Sequence, residues 1–371
     1  MVGLSTEGVH GADDLSRVPD VVPPINVATT FKYSKDPSTW IKATDGPPLL
    51  DNPVYSRLSH PNSEQVEAIV EHITGYKCVV YLSGLAAFNA AMCHLNPKTL
   101  AIGQAYHGCH GIADILTRNY GVKQIGLDDE FDGVVKLGDV VHLETPVNPE
   151  GVCIDIQKYA DKAHKYGAKV VVDSTFAPPP IQDPFQQGAD IVMHSATKFF
   201  GGHSDLLAGL LLVKDDETKD KLLKDRLLLG TNIANLEASL LIRSLRTFEM
   251  RVDRQWKLAT AIVKRLHDDI DKLPKLAKIY HSLLQTEPFV AKQMPNGHSP
   301  VFSIECPDEQ TAKELPLKLK YFVHATSLGG VESLIEWRAL SDATCSPKLL
   351  RVSVGVENVE DLIEDLVQAL Q

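Results

Sequence analysis

No run of about 18 apolar residues, the length a membrane-spanning helix needs, occurs anywhere in the 371-residue chain. Basic charge is in deficit. The 37 Lys and Arg against 48 Asp and Glu leave a net charge of −11, which argues against nonspecific nucleic-acid binding, and neither RRM-like nor zinc-finger spacing occurs. Cysteine is scarce: Cys78, Cys93, Cys109, Cys153, Cys306 and Cys345 include no C-x-x-C pair. That excludes a disulfide-stapled scaffold and predicts free thiols in a reducing compartment. Cys109 and His110 are adjacent rather than spaced for a shared metal, and no metal is expected. Residues 1–30 lack a basic, apolar, small-residue signal pattern, so cytoplasm is the expected location. No internal repeat or low-complexity tract is present. With 44% hydrophobic residues, a chain of this length can build about two domains with substantial cores.

The chain is organised around residues 188–209, GADIVMHSATKFFGGHSDLLAG. An apolar run over 191–193 predicts a buried strand, which ends in His194-Ser195-Ala196-Thr197 just before Lys198. Alone, this is a turn with a solvated lysine. A lysine among small hydroxyls can also form a Schiff base while Ser195 and Thr197 bind phosphate oxygens, so one turn could hold both the aldehyde and the phosphate of pyridoxal phosphate (PLP). Upstream, 168–175 reads AKVVVDST, a β-branched run ending in Asp173. The carboxyl end of a parallel strand is where doubly wound sheets place ligands, and a carboxylate there can keep a pyridine nitrogen protonated. The plainer reading of Asp173 is a cap or turn residue.

Taken in order, residues 1–50 are rich in proline and short of periodicity, and are expected to form an extended arm packing on another subunit. Tyr55 and Arg57 precede a helix capped by Asn62 or Ser63 and stopped by Gly75, and the two could reach one anion. A strand over 78–82 runs into Ser83-Gly84-Leu85, whose free N–H groups at a helix start would cradle a phosphate. A strand over 99–102 precedes Tyr106, a candidate to stack on a planar cofactor or else a tyrosine packed at a domain edge. Further strands over 138–143 and 168–173, with a helix over 156–166 between them, predict a mainly parallel sheet covered on both faces. Residues 214–273 read as helical, with a break at 230–232. Strands over 301–305, 321–325 and 349–354 and a final helix over 359–370 capped by Asn358 make a smaller α/β domain. The expected organisation is an arm over 1–50, a PLP-binding domain over 51–235 and a C-terminal α/β domain over 236–371.

Nearly end to end the chain resembles the Cys/Met-metabolism PLP enzymes, which include cystathionine γ-synthase, the cystathionine γ- and β-lyases and methionine γ-lyase. The resemblance rests on VVPPI, YSR at 55–57, SGLAA at 83–87, ETPVNP at 144–149, VVDSTFAPPP, HSATKFFGGHSD, SLGGVESLIE and LLRVSVGVENVEDLIEDL. It implies fold type I, with a seven-stranded-type, mainly parallel sheet. It also implies Lys198 as the Schiff-base lysine, Asp173 as partner of the pyridine nitrogen, and Tyr106 stacked on the ring with Asn148 near its phenolic oxygen. Ser83, Gly84, Leu85, Ser195 and Thr197 would hold the phosphate, completed by Tyr55 and Arg57 from a neighbouring subunit. Arg351, helped by Ser327, would clamp the substrate α-carboxylate, a task for a planar bidentate donor. Sites shared in this way imply a homodimer or homotetramer.

Two stretches depart from the family pattern. Where relatives continue with His-Pro and Met-Thr-His, this chain reads Trp337-Arg338-Ala339-Leu340-Ser341-Asp342-Ala343-Thr344, and the segment before Arg351 is shortened. After Tyr106 it reads His107-Gly108-Cys109. Glu332 resembles the γ-synthase and γ-lyase branch, where a carboxylate could meet a distal ammonium; otherwise it is an exposed loop glutamate. The expected function is a PLP-dependent C–S lyase acting on a small sulfur amino acid, most closely a cystathionine lyase. The alternatives are a γ-synthase, or a noncatalytic PLP-holding protein.

Overall fold

The computed structural model describes residues 2–42, 44–45 and 53–371. Short apolar runs make the strands of a seven-stranded sheet, separated by helices whose caps are written in the sequence. In chain order come α1 (Leu4–His10), α2 (Pro61–Thr74), β1 (Lys77–Tyr81), α3 (Gly84–Leu95), β2 (Thr99–Ile102), α4 (His107–Tyr120) and β3 (Lys123–Ile125). They are followed by β4 (Val140–Glu144), α5 (Ile156–His164), β5 (Lys169–Asp173), β6 (Ile191–His194) and β7 (Gly209–Val213). The strand order is β1-β7-β6-β5-β4-β2-β3, and β7 alone runs antiparallel to its two neighbours. Strands β2, β4, β6 and β7 are buried throughout, as strands covered on both faces must be. One face packs on α3 and α4 through Phe88, Met92 and Leu116; the other packs on α2 and α5 through Val66, Val70 and Ile156. The carboxyl ends of β4, β5 and β6 lie side by side, with Glu144 opposite Asp173 and Asp173 opposite Met193. This rim carries the site.

Helices α6 (Asp216–Leu229), α7 (Asn235–Leu245) and α8 (Phe248–Asp268) lead to a second, smaller sheet. It contains β8 (Lys278–Tyr280), β9 (Val301–Glu305), β10 (Val323–His324), β11 (Leu334–Trp337) and β12 (Leu349–Ser353) in the order β10-β11-β12-β9-β8. The short helices α9 (Pro288–Gln293) and α10 (Glu309–Glu314) and the amphipathic α11 (Val359–Leu370) complete this part. Helix α8 belongs to both bodies. Its Phe248 and Val252 lie in the core of the larger sheet, and its Ile262, Val263 and Leu266 lie in that of the smaller one.

The start of the chain differs from an extended arm. Residues 4–10 form α1, docked on α2 and α8 of the same chain, with Gly8 buried so closely that a Cβ would stand 2.8 Å from the Leu245 carbonyl oxygen. A helix of 7 residues has too few turns to show a period, and only docking stabilises it. Helix α2 begins earlier than expected because Pro61 is pre-organised for the first helical position, and the His60 ring accepts the N–H of Asn62 at 3.2 Å. The Asn62 side chain instead accepts from the N–H of Asn26 (3.0 Å) and donates to the Pro24 carbonyl (3.1 Å), which ties the arm down. The expected strand over 321–325 is only two residues long, and the short strands β3, β8 and β11 carried no readable alternation. The junction expected at 50/51 lies outside the described residues.

Gly202 closes the turn after β6 with φ of 66°, and a Cβ there would sit 1.8 Å from Arg251 Nη1. Gly202→Ala is expected to lower stability by more than about 2 kcal/mol, from the left-handed backbone and the displaced guanidinium together. The check is a lower urea midpoint at unchanged slope.

Candidate active site

Strand ends, one helix start and a loop from the smaller sheet enclose a cavity of about 360 Å³. At its centre Lys198 follows β6 in a tight turn, with its N–H bonded to the Ser195 carbonyl at 3.1 Å. Its Nζ donates to Ser327 Oγ at 2.8 Å. Burial first, and the Arg351 charge second, lower the Lys198 amine from its ordinary value to about 8. Arg251 of α8 fixes the turn from behind, donating to the carbonyls of Phe199 (2.8 Å), Phe200 (3.3 Å) and Ser244 (2.9 Å). From the smaller sheet, Gly329 at φ of 79° approaches so closely that a Cβ would lie 2.8 Å from the Phe199 nitrogen.

Asp173 ends β5 beneath the cavity, 5% exposed. One of its oxygens accepts from the N–H (2.9 Å) and hydroxyl (2.6 Å) of Thr175, and Thr175 Oγ1 in turn accepts the N–H of Ser195 at 2.9 Å. Burial holds the Asp173 carboxyl above its usual range because no cation among the described residues is paired with it. Glu144, at the matching end of β4, went unrecognised in the sequence reading. It accepts the N–H of Tyr106 at 2.6 Å and that of Asn148 at 2.9 Å, so it places both candidate residues. Burial and the neighbouring Asp173 charge raise its carboxyl as well. The signal was available: like Asp173, Glu144 is an acid closing an apolar strand.

The N-terminus of α3 forms the wall beside the Lys198 turn. Ser83 Oγ accepts the N–H of Ala86 at 3.1 Å, while Gly84 and Leu85 occupy the first two helical positions, whose N–H groups have no intrahelical partner. A Cβ on Gly84 would meet Ser195 Cβ at 3.0 Å, so the two phosphate-binding candidates are packed against each other. Tyr106 lines the cavity, and Gly108 makes room for its ring: a Cβ there would fall 2.7 Å from Tyr106 Cε1 and 2.8 Å from Leu85 Cδ2. Thr197 lines it too, its hydroxyl accepting the Ala208 N–H at 3.1 Å.

At the far end, Arg351 of β12 is 4% exposed. It donates to Asn148 Oδ1 (3.0 Å), the Ser327 carbonyl (2.9 Å) and Glu336 Oε2 (2.6 Å). Arg338 and Ser341 also line this end and were not singled out from the sequence. Three candidates lie away from the cavity wall. Glu332 is hydrogen bonded by the Ser204 hydroxyl. Arg57 packs over the Tyr55 ring at 5.6 Å and donates to the Leu227 carbonyl at 3.3 Å. The arrangement therefore offers free N–H groups and hydroxyls for an anion, a buried carboxylate, a readily deprotonated amine and a bidentate cation, all within one cavity.

The model of the Cys/Met metabolism PLP-dependent enzyme family matches residues 5–371. The chain is similar to cystathionine gamma-synthase of Escherichia coli, 33% identical over 382 residues that cover 96% of this chain and 94% of that protein. It is also similar to cystathionine beta-lyase of Lactococcus lactis subsp. cremoris, 29% identical over all of both chains. Among solved structures, a methionine gamma lyase from Micromonospora echinospora superposes with a TM-score of 0.86 at 30% identity, covering 100% of this chain and 99% of that one.

The lowered Lys198 amine can be read directly. In the cofactor-free protein, reductive methylation followed by peptide mass spectrometry should label Lys198 with a half-point near pH 8, well below that of exposed lysines. A half-point shared with the surface lysines would contradict the environment described.

Proposed function

The chain belongs to the Cys/Met metabolism PLP-dependent enzymes, and from that premise we propose that it cleaves a C–S bond of a small sulfur amino acid, most closely as a cystathionine lyase. The observation that carries this reading is the joint placement of Lys198, Asp173 and Arg351 around one cavity. The residues fit the cofactor. Asp173 is a buried carboxylate with no cation paired to it among the described residues, as a protonated pyridine nitrogen requires, and the wall of Gly84, Leu85, Ser195 and Thr197 offers donors for a phosphate.

When bound, PLP supplies an electron sink for charge developing at the substrate Cα. Asp173 would hold the ring nitrogen, Tyr106 would cover the ring face, and Asn148 would stand at the ring's edge. Ser83, Gly84, Leu85, Ser195 and Thr197 would hold the phosphate. Arg351 would clamp the substrate α-carboxylate in two parallel hydrogen bonds, with Ser327 beside it. The clamp would turn the Cα–H toward Lys198, whose lowered basicity gives a larger neutral fraction to take that proton than an exposed lysine has. Departure of a β-substituent as its thiol, followed by hydrolysis with one water and release of ammonia, leads to pyruvate; departure of a γ-substituent as its thiol, with a second proton moved by the same lysine and the same hydrolysis, leads to 2-oxobutyrate.

Tyr55 and Arg57 lie off their own chain's cavity, and the arm exposes Val21, Val22, Ile25, Val27, Tyr33 and Trp40. Both features support a homodimer or homotetramer in which Tyr55 and Arg57 complete a neighbour's phosphate site. No helix among the described residues is long and apolar enough to cross a membrane. The free cysteines fit a reducing compartment, and cytoplasm is the proposed location.

L-cystathionine given to the PLP-loaded protein should yield a keto acid identifiable by mass spectrometry, pyruvate for β-cleavage or 2-oxobutyrate for γ-cleavage. Lys198→Ala should reduce turnover at least about a thousandfold. The absence of both keto acids would reject the lyase reading and direct the assay to an activated homoserine with cysteine. The shared site predicts complementation: Arg57→Ala and Lys198→Ala, each inactive alone, should after unfolding and mixed refolding recover about a quarter of wild-type activity, because half the dimers carry one intact site.

A further inference from the structure

The segment 337–348, where the chain leaves the family pattern, folds against the carboxylate-binding end of the cavity. After β11 ends at Trp337, a short turn over 338–340 carries Arg338 inward. Arg338 is 3% exposed and lines the cavity with Ser341. Its Nη1 donates at 2.8 Å to Glu336 Oε2, the same oxygen that accepts from Arg351 Nη2 at 2.6 Å. Ser341 donates to the other oxygen, Oε1, at 2.6 Å. Asp342 stands 3.6 Å from Nη2 of Arg338, while Arg338 Nε has no partner among the described residues. One buried carboxylate is thus shared by two guanidiniums, of which Arg351 also bonds the Ser327 carbonyl and lowers the Lys198 amine.

Charge-assisted hydrogen bonds are strong where water is excluded, so Glu336 competes with any incoming carboxylate for Arg351. Each bond that Glu336 makes elsewhere weakens that competition. We propose that Arg338 is a positioning residue which, by engaging Glu336, keeps Arg351 available and so sets how strongly the site prefers α-amino acids to amines lacking a carboxylate. The inference rests on the reading of Arg351 as the substrate clamp, and it gives the departed segment a task in substrate selection.

The test uses the PLP-loaded holoenzyme at fixed pH, with the visible band of the bound cofactor titrated by L-alanine and separately by ethylamine, and the melting temperature recorded for each variant. Arg338→Gln is expected to weaken L-alanine binding about tenfold while leaving ethylamine unchanged. The double variant Arg338→Gln with Glu336→Gln should recover most of that loss, because the competitor is then uncharged. Equal weakening of both ligands, or no recovery in the double variant, would overturn the proposal. Should Arg338→Gln fail to fold, Glu336→Gln alone carries the test: it should tighten L-alanine, and unchanged or weaker binding overturns the proposal. Arg351→Lys separates the two readings. Undiminished L-alanine binding there rejects the clamp itself, whereas loss there with none in Arg338→Gln rejects only the role of Arg338.

Discussion

Arg251 lies 6% exposed in α8 and donates to the carbonyls of Phe199, Phe200 and Ser244, so backbone oxygens take the place of a carboxylate partner. Burial lowers the guanidinium to about 10, which leaves it charged at neutral pH. The turn behind Lys198 would otherwise bury unpaired carbonyls, each costing about 1–3 kcal/mol. Satisfied by one rigid donor, it becomes a fixed mount. The smaller sheet closes on the same mount: Val331 donates to the Gly202 carbonyl at 3.0 Å, and Gln255 of α8 donates to the Gly330 carbonyl at 2.7 Å. Because α8 lies in both cores, the helix that holds the lysine turn also sets the distance between the two halves of the cavity.

That geometry sets unlike charges on the two sides of Lys198, apart from the Glu336 carboxylate that the guanidiniums share. Carboxylates sit at the ends of β4 and β5, guanidiniums project from the smaller sheet, and Lys198 stands between them. An amine there is buried and faces Arg351, and both effects favour its neutral form. The carboxylates are also raised by burial, so each is more readily protonated here than in water, and a cation reaching the rim would favour their charged forms. A pyridinium at one end and a substrate carboxylate at the other would each meet its complement without moving the frame. The strand register enforces the first half of this arrangement, since Glu144 and Asp173 are direct partners across parallel strands.

Strands 99–102 and 301–305 and the final helix were legible to the residue because each is a clean apolar period closed by a turn or cap residue. Lys198, Asp173, Tyr106, Asn148 and Arg351 were found through motifs, and the fold brings all five to one cavity. What escaped was structure held by distant partners. Helix α1 forms because Gly8 fits under Leu245, a contact no local pattern announces. Arg251 carries no local signal, because its partners are carbonyls of Phe199, Phe200 and Ser244. Glu144 was hidden inside a motif valued for its Asn148.

Arg338 escaped for a different reason, and the sheet supplies it. Glu336 pairs directly with Arg351 across the antiparallel strands β11 and β12, so that contact follows from register alone. Side chains two residues apart on a strand share a face, so Arg338 follows Glu336 toward the cavity even as the strand gives way to a turn. A second buried cation there would be untenable with one carboxylate serving both. The turn continues to Asp342, whose N–H bonds the Arg338 carbonyl at 3.0 Å and whose carboxylate approaches the guanidinium. The shortened segment therefore brings a second carboxylate near its own arginine, which Glu336 also holds. Glu336 connects it to Arg351, through Arg338 on one carboxylate oxygen and Ser341 on the other, while Arg338 and Ser341 also line the cavity itself.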